Sequence, residues 1–547
     1  IGTNNSAFGY KSLTSNTTGV SNVAFGTNAL TSNTIGTNNV AVGVNSSYSN
    51  TAGVNNVGLG NNTLYQNTGG GQNTAVGHQA LQNNTTNNNS AFGYKSLFTN
   101  TTGYNNTAVG YHTLTLNTVG YNNVALGIQA LYSNISGTRN NAVGVNALHL
   151  NTIGSANNAF GYYALRNNTT GALNSAFGHK SLQNNTIGTN NSAFGFYSLS
   201  ANTIGVNNSA FGYQALLSNT TGQGNTALGN ASLRNNTIGV YNTAVASGAL
   251  YYNTTGNYNS AVGFYSLLLN TTGAYNSAFG MYAMRNNTGG VRNSAFGYGA
   301  LLTNSVGTNN TAVGYLALYT NTANDNTAVG YRALFLNTTG VANVAVGASA
   351  LENNTVGVYN NAFGHGALYN NTIGAYNTAV GYRSLYLNTT GTRNNAFGAY
   401  ALYNNTIGLN NSAFGYKSLQ NNTTGVNNTA IGYQSLNANT IGVSNIAVGV
   451  NSLLSNTTGS YNAAVGRDAL SSNTIGTANS GFGYKALFSN TTGGSNTAIG
   501  YQSLQNNTTG TLNVAAGANA FFSNTTGSAP SAFAYKSLNR NTSGINN

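Results

Sequence analysis

Side chains that could perform catalysis are few in this chain and lie far apart along it. The 547 residues include no cysteine, three carboxylates and five histidines; these are Asp325, Glu352, Asp468, His78, His112, His149, His179 and His365. Catalysis needs several unlike groups that converge at one place. The sequence therefore predicts that the protein is not an enzyme, with no catalytic, cofactor-binding or metal-binding residues and no cofactor.

All of these residues belong to a 17-residue repeat that starts at Ala7 and continues to Asn547. The first copy, AFGYKSLTSNTTGVSNV, ends at Val23, and its residues define repeat positions 1 to 17. The chain holds 32 copies, of which the last is one residue short and the copies starting at Ala75 and Ala312 each lack one residue at the turn glycine. A period kept this strictly predicts a single continuous repeat array over residues 1–547.

Each repeat position accepts few residue types. Position 10 is Asn in all 32 copies, position 7 is Leu in 29, position 1 is mostly Ala, position 3 is mostly Gly, and position 2 is always apolar, chiefly Phe or Val. Positions 17 to 5 and positions 6 to 8 are typical of two short extended segments, and positions 9 to 16 carry the Asn and Gly of turns. A helix is excluded because Gly, Asn and Thr have low helix propensities, which together would destabilise a helix by roughly several kcal/mol per repeat.

This pattern predicts an all-β, elongated β-solenoid of the β-roll type, with one 17-residue coil per repeat and about 32 coils. Equivalent positions would then stack about 4.8 Å apart. The Asn of position 10 is predicted to form a hydrogen-bonded ladder, and the Leu of position 7 and the Phe or Val of position 2 are predicted to form buried apolar ladders. Small residues at positions 1, 3 and 6 indicate close backbone approach, either inside one coil or where several chains meet.

The net charge of +13 is dispersed along the chain. Nucleic-acid-binding proteins concentrate basic residues into patches, so no nucleic-acid partner is predicted. All six lysines fall at position 5, which is predicted to face solvent: Lys11, Lys95, Lys180, Lys417, Lys485 and Lys536. No apolar run is long enough to predict a membrane span.

Two further features leave alternatives open. Position 4 is most often Tyr, as at Tyr10, Tyr213 and Tyr501, which predicts either a stacked aromatic ladder or a wet aromatic stripe that binds sugars. Asn-X-Thr/Ser sequences such as Asn16-Thr17-Thr18 arise from composition alone or mark a row of glycosylation sites.

The segments TGVSNVAFG (residues 18–26) and GVNNSAFG (residues 205–212) resemble the head repeats of the trimeric autotransporter adhesins, the YadA-like left-handed β-roll. They are also similar to repeats of phage and viral tail fibres. The resemblance covers the whole chain through a short motif, and the Asn-Thr-Thr/Ile-Gly turn is an addition to the family's coil. It implies a left-handed solenoid, a homotrimer and an adhesive, surface-exposed role.

These observations predict an extracellular structural fibre that is a scaffold or an adhesive stalk and associates with itself, as a homo-oligomer such as a trimer or as a filament. The alternatives are an adhesin or tail fibre that binds glycans on a host surface, and an ice-binding protein that orders water along its Thr rows. The chain enters and leaves in mid-repeat, which is typical of a piece of a longer array. Pro530, which replaces the regular Asn of position 16, suggests an array end near residues 530–547.

Overall fold

The regular backbone of this chain consists of very short strands, one in each repeat. The structure is a computed structural model that describes residues 2–544, and its chain forms two units, Ile1–Tyr275 and Asn276–Asn547. Within residues 2–544 the regular elements are 32 strands of three residues each, and no helix is present. The predicted all-β class is confirmed.

The first unit contains sixteen strands: β1 (Ser6–Phe8), β2 (Val23–Phe25), β3 (Val40–Val42), β4 (Val57–Leu59), β5 (Thr74–Val76), β6 (Ser90–Phe92), β7 (Thr107–Val109), β8 (Val124–Leu126), β9 (Asn141–Val143), β10 (Asn158–Phe160), β11 (Ser175–Phe177), β12 (Ser192–Phe194), β13 (Ser209–Phe211), β14 (Thr226–Leu228), β15 (Thr243–Val245) and β16 (Ser260–Val262). The second unit contains sixteen more: β17 (Ser277–Phe279), β18 (Ser294–Phe296), β19 (Thr311–Val313), β20 (Thr327–Val329), β21 (Val344–Val346), β22 (Asn361–Phe363), β23 (Thr378–Val380), β24 (Asn395–Phe397), β25 (Ser412–Phe414), β26 (Thr429–Ile431), β27 (Ile446–Val448), β28 (Ala463–Val465), β29 (Ser480–Phe482), β30 (Thr497–Ile499), β31 (Val514–Ala516) and β32 (Ser531–Phe533).

Consecutive strands within each unit pair in parallel and place like repeat positions side by side. In the first unit Ala193 of β12 pairs with Ala210 of β13, and in the second unit Ala413 of β25 pairs with Ala430 of β26. One repeat therefore makes one coil, and each unit is a β-solenoid, as the period predicts. The stacking distance between such strands is about 4.8 Å.

The interior of each coil is narrow and is filled by six repeat positions. In the coil 193–209 the buried residues at these positions are Ala193, Ser198, Leu199, Asn202, Gly205 and Asn208, at positions 1, 6, 7, 10, 13 and 16. The Leu ladder of position 7 is buried as predicted, and the small residues of positions 1 and 6 line the inside of a single coil. Position 3 differs, because Gly195 is only half-buried, and a Cβ there would collide with the backbone of Gly212 in the following coil.

The prediction that position 2 forms a buried ladder is wrong. Side chains alternate along a strand, so the buried Ala of position 1 puts positions 17 and 2 on the outer side. Phe25 is 52% exposed and Phe296 is 41% exposed. The Phe rings stack on one another, as Phe177 does on Phe194 at 4.6 Å between centroids, but they do so outside the coil.

The predicted second extended segment at positions 6 to 8 is also wrong, because the chain turns there. In the coil 193–209 the φ angles are 136° at Gly195, 56° at Tyr197 and 50° at Leu199. Left-handed backbone at positions 3, 5 and 7 bends the chain tightly around the core. The side chain of Leu199 points into that core, and its burial offsets the strain that a left-handed residue carries.

Backbone hydrogen bonds join the coils well beyond the short strands. The N–H of Leu199 donates to the carbonyl of Ala215 in the following coil, at 2.9 Å, whereas the N–H of Gly212 donates back to the carbonyl of Phe194, at 2.8 Å. The turn N–H groups of Thr203 and Ile204 both donate to Thr220 in the following coil, at 2.9 Å and 3.3 Å. Each coil therefore forms backbone hydrogen bonds with both of its neighbours.

Candidate functional site

The Asn residues of position 10 form a hydrogen-bonded ladder inside each unit, as predicted. In the second unit the ladder is interrupted at Asn304 and Asn524, whose Oδ1 atoms are buried without a hydrogen-bond partner. The Asn185 side-chain amide Nδ2 donates to Asn168 Oδ1 at 2.8 Å and to the carbonyl of Gly188 at 3.0 Å. Asn185 Oδ1 accepts in turn from Nδ2 of Asn202 at 2.8 Å. Asn185 is fully buried, so all of its side-chain hydrogen bonds are made within the coil and to the two adjacent coils.

A second Asn ladder, at position 16, was missed by the sequence analysis. The backbone N–H and the side-chain Nδ2 of Asn191 both donate to Asn174 Oδ1, at 3.0 Å and 3.2 Å. Asn191 Nδ2 also donates to the carbonyl of Gly205 at 2.8 Å. The signal was present, because position 16 is Asn in every copy except the one that carries Pro530.

The two ladders meet at the glycine of position 13. The carbonyl of Gly205 accepts from Asn191 of position 16 at 2.8 Å and from Asn202 of position 10 at 3.0 Å. A Cβ on Gly205 would collide with Asn202 Oδ1 and with the carbonyl of Gly222 in the following coil. Glycine is therefore required at position 13 by the closeness of the two ladders.

The two 16-residue repeats keep the acceptor that the two ladders share, but at the second of them the position-10 ladder is broken, because Asn304 Oδ1 is buried without a hydrogen-bond partner. In the first, the carbonyl of Thr86 replaces the glycine carbonyl and accepts from Asn73 at 2.7 Å and from Asn84 at 2.8 Å. In the second, the carbonyl of Ala323 accepts from Nδ2 of Asn310 at 2.7 Å and Nδ2 of Asn321 at 2.9 Å. The missing residue shortens the turn without removing the shared acceptor.

Pro530 interrupts the position-16 ladder but not the stacking of coils. Proline has no N–H, and Asn513 Oδ1 is buried without a hydrogen-bond partner. One coil earlier, Asn496 Oδ1 accepts two hydrogen bonds from Asn513. The carbonyl of Pro530 still accepts from Val514 N at 3.1 Å, and β32 still pairs with β31.

The residues that could have performed chemistry lie in separate places. His78, His179 and His365 of position 4 each stack on aromatic neighbours, as His365 does on Tyr382 at 5.5 Å. Glu352 forms an ion pair with Arg332 at 2.9 Å, Asp468 pairs with Arg467 at 3.3 Å, and Asp325 accepts from Asn309 Nδ2 at 3.0 Å. Residues 2–544 contain no group of three or more His, Cys, Asp or Glu side chains that could hold a metal ion.

The environments of two histidines shift their pKa values downward. Burial lowers the pKa of His149 below its usual value; the hydrogen bond from its Nδ1 to the carbonyl of Gln129, at 3.2 Å, opposes this shift, and nearby Arg166 adds to it. Burial and the positive charge of Lys95 lower the pKa of His112. Both rings therefore favour the neutral state in the fold.

Stacked aromatic rings and basic side chains cover the outside of the coils at positions 4, 5 and 8. The position-4 rings of Tyr298, Tyr315 and Tyr331 stack at 5.4 Å and 5.6 Å between successive centroids, and their edges remain exposed. The Lys95 ammonium lies 5.4 Å from the ring centroids of both Tyr94 and Phe98, at positions 4 and 8. Position 5 lies outside the core, as predicted, and its basic side chains pack against the aromatic rings of positions 4 and 8.

The hydroxyls and amides of the turn are largely used within the fold. Thr220 Oγ1 of position 11 donates to the carbonyl of Thr237 at 3.1 Å. Asn219, in an Asn-X-Thr sequence, is fully buried and its Nδ2 donates to Asn202 Oδ1 and to Gly222, each at 3.0 Å. A glycan on this amide would require the coil to open.

The fold and its ladders define the class of the protein, a parallel β-solenoid with 17-residue coils tied together by two buried Asn ladders. A comparison with protein-family models gives no match, and a comparison with curated proteins gives none. In residues 2–544 there is no helix of the length and apolar character needed to cross a membrane.

Proposed function

We propose that this chain is part of an extracellular structural fibre, a self-associating scaffold or stalk without catalysis. The observation that carries the proposal is the pair of Asn ladders inside each unit, which is unbroken in the first unit and interrupted only at Asn304, Asn513 and Asn524 in the described part of the second. From the coil 193–209 to the next, five side-chain hydrogen bonds add to those of the backbone. Each net hydrogen bond contributes about 1 kcal/mol, so side chains alone add about 5 kcal/mol of cohesion per coil.

A solenoid of this kind suits a role as a spacer, because the same stabilising contacts recur in every repeat and each coil contacts only its neighbours. If four whole repeats, residues 125–192, are deleted, the coil before the deletion should stack on the coil after it with like repeat positions still side by side. We expect the native filament to shorten by about 19 Å, since parallel strands stack about 4.8 Å apart. Cryo-electron microscopy of the native filament measures this change, and a deletion of residues 125–134, which shifts the ladders out of phase, is the control expected to disrupt the fold.

Localisation is tested separately with antibodies against the purified chain. Labelling of intact cells or particles on external filaments is the expected result. Labelling that appears only after permeabilisation, or a repeat deletion that alters an enzymatic reaction but no visible filament, would contradict the proposal.

A second candidate function, adhesion to surface glycans, is favoured by the exposed aromatic column of position 4. Because the rings cover one another's faces, a bound sugar would meet ring edges and phenol hydroxyls. Changing Tyr298, Tyr315 and Tyr331 together to Phe retains the stack and removes the hydroxyls. A glycan-array signal should fall in this variant and persist when the position-8 residues Tyr369 and Tyr386 are changed in the same way; an array without signal would leave the scaffold role alone.

Ice binding stays a prediction of the sequence. The position-11 hydroxyls donate to backbone carbonyls, as Thr220 does to Thr237, so their protons are not available to order water. A thermal-hysteresis assay on the purified chain measures this activity directly.

A further inference from the structure

The outer side of the strands forms a face with two columns of side chains, which we call the strand face and define by positions 17 and 2. Strand β12 illustrates it, since Ala193 points into the coil whereas Ser192 and Phe194 point outward. The face carries no charged residue at either position. Its Phe side chains remain substantially exposed, as Phe92 does at 40% and Phe482 at 41%.

The sizes of the two side chains on the strand face compensate for each other within each strand. Position 2 is Phe in 14 strands, and in 13 of these position 17 is Ser or Asn. In the other 18 strands position 2 is a smaller apolar residue, and in 15 of these position 17 is Val, Thr or Ile. The combined size of the pair is thus similar in 28 of the 32 strands, as in Ser-Ala-Phe against Thr-Ala-Val, and β2, β9, β16 and β28 are the exceptions.

Packing within one chain does not require this compensation. The Phe rings contact the rings of adjacent coils, as Phe160 contacts Phe177 at 4.7 Å and Phe194 contacts Phe211 at 4.8 Å. These rings nevertheless remain partly exposed, as Phe160 does at 36% and Phe211 at 38%. A constant combined size is expected if a second surface packs against this face at a fixed distance. Protein interiors are close-packed, so both gaps and overlaps in such an interface are destabilising.

We infer that the strand face packs against the strand face of a second copy of this chain, in parallel and in register. A twofold axis parallel to the stacking direction places position 2 of one copy against position 17 of the other. In most layers this sets Phe on Ser or Asn, or a smaller apolar residue on Val, Thr or Ile, on both sides of the axis; β2, β9, β16 and β28 are the exceptions. Two sheets packed in this way lie about 10 Å apart.

Other arrangements of the two copies lose the compensation. An antiparallel pair reverses the order of the strands and places position 2 on position 2 and position 17 on position 17. Wherever two strands with Phe then meet, two rings collide on one side of the layer and two small residues leave a gap on the other. A pair shifted by one coil sets the Phe of one strand against the Val or Thr of another wherever the pattern changes, as between β13 and β14. The parallel, unshifted pair is the arrangement that keeps the thickness similar from layer to layer in the strands that follow the compensation.

The area is sufficient for a stable pair. A Phe side chain that is about 40% exposed offers roughly 60–100 Å², from its full area of about 150–250 Å². The sixteen strands of the first unit together offer on the order of 1,000 Å², compared with about 800 Å² per partner in a standard interface. The inference rests on the self-association part of the proposed function and does not depend on where the fibre is located.

Analytical ultracentrifugation of the purified full-length chain tests the pairing. Changing Ser192 and Ser209 to Val overfills two layers, and we expect dissociation to become at least about tenfold easier. Changing Phe194 and Phe211 to Val in the same variant restores the combination found in β3 and β21, and should return the affinity to within about threefold of the original. A wild-type chain that is monomeric at every concentration, or two variants that associate like the wild type, would overturn the inference; circular dichroism confirms that each variant is folded.

Cross-linking tests the orientation and the register. The chain has no cysteine, so Ser90→Cys and Ser209→Cys provide single labels seven coils apart, or about 34 Å along the stack. When the two variants carry different tags and are refolded together, a short bismaleimide should link Ser90→Cys only to itself and Ser209→Cys only to itself. Mixed products, or no products from a chain that sediments as a dimer, would refute the parallel, in-register pair whatever the fate of the fibre proposal.

Discussion

Replacing one interior asparagine of the position-10 ladder should weaken the solenoid far more than replacing its exposed neighbour. In Asn185→Ala, Asn168 Oδ1 loses its donor and Asn202 Nδ2 loses one of its two acceptors, while the carbonyl of Gly188 keeps the hydrogen bond from Asn174. Two buried polar groups are then unpaired, at about 1–3 kcal/mol each. The expected destabilisation is about 2–6 kcal/mol, local to the adjacent coils.

The matched control is Asn184→Ala, which removes the same side chain one residue earlier. Asn184 is exposed and accepts a single hydrogen bond from Asn167 Nδ2, at 3.0 Å, so its loss should cost less than about 0.5 kcal/mol. Amide hydrogen exchange followed by mass spectrometry resolves the two cases. Peptides that cover residues 168–205 should exchange at least about thirtyfold faster in the Asn185 variant. This follows from the lower bound of about 2 kcal/mol, because each 1.4 kcal/mol changes an equilibrium constant about tenfold. Equal exchange in the two variants would refute the assignment of cohesion to the ladder.

Three further perturbations have outcomes that the structure determines. Gly70→Ala should destabilise by about 1–3 kcal/mol because its Cβ collides with the ladder, whereas Gly69→Ala, with nothing within 4 Å, should change the denaturant midpoint little. Pro530→Asn should supply the donors that Asn513 Oδ1 lacks, stabilising the local coils by about 1–3 kcal/mol and slowing their amide exchange. The fold lowers the pKa of His149 from 6.5, so its contribution to stability is present above pH 6.5 and is lost as the pH falls through the folded pKa. The denaturant midpoint of the wild type should therefore be lower near about pH 5 than near about pH 7.5. In His149→Gln the difference between these two midpoints should be smaller.

The sequence predicted the architecture because the period and the invariant asparagines are direct consequences of stacking. Like positions must lie side by side in a parallel solenoid, so an Asn at every position 10 points to an amide ladder such as that of Asn185. The position-16 ladder gave an equally regular signal. It was assigned to turn chemistry because Asn is common in turns, and only the structure shows that Asn191 points inward.

The side of the strand that faces the core could not be decided from residue types. Ala193 and Phe194 are both apolar, and either could be buried if the width of the interior were unknown. The structure shows an interior that admits Ala, Ser, Leu and Asn but leaves Phe outside. The turn at positions 5 to 7 was hidden for a related reason, since Leu199 is left-handed where sequence rules expect Gly or Asn.

The left-handed leucines have a consequence for how the protein reaches its folded state. Most coils hold three non-glycine residues in this conformation, such as Tyr197, Leu199 and Asn207, at about 1–2 kcal/mol each. An isolated repeat has no neighbour to compensate for that strain, so a synthetic 17-residue peptide should remain unstructured. Folding must instead begin with a rare nucleus of several coils and then grow one coil at a time, each finished layer acting as the template for the next, much as a crystal grows along a single axis.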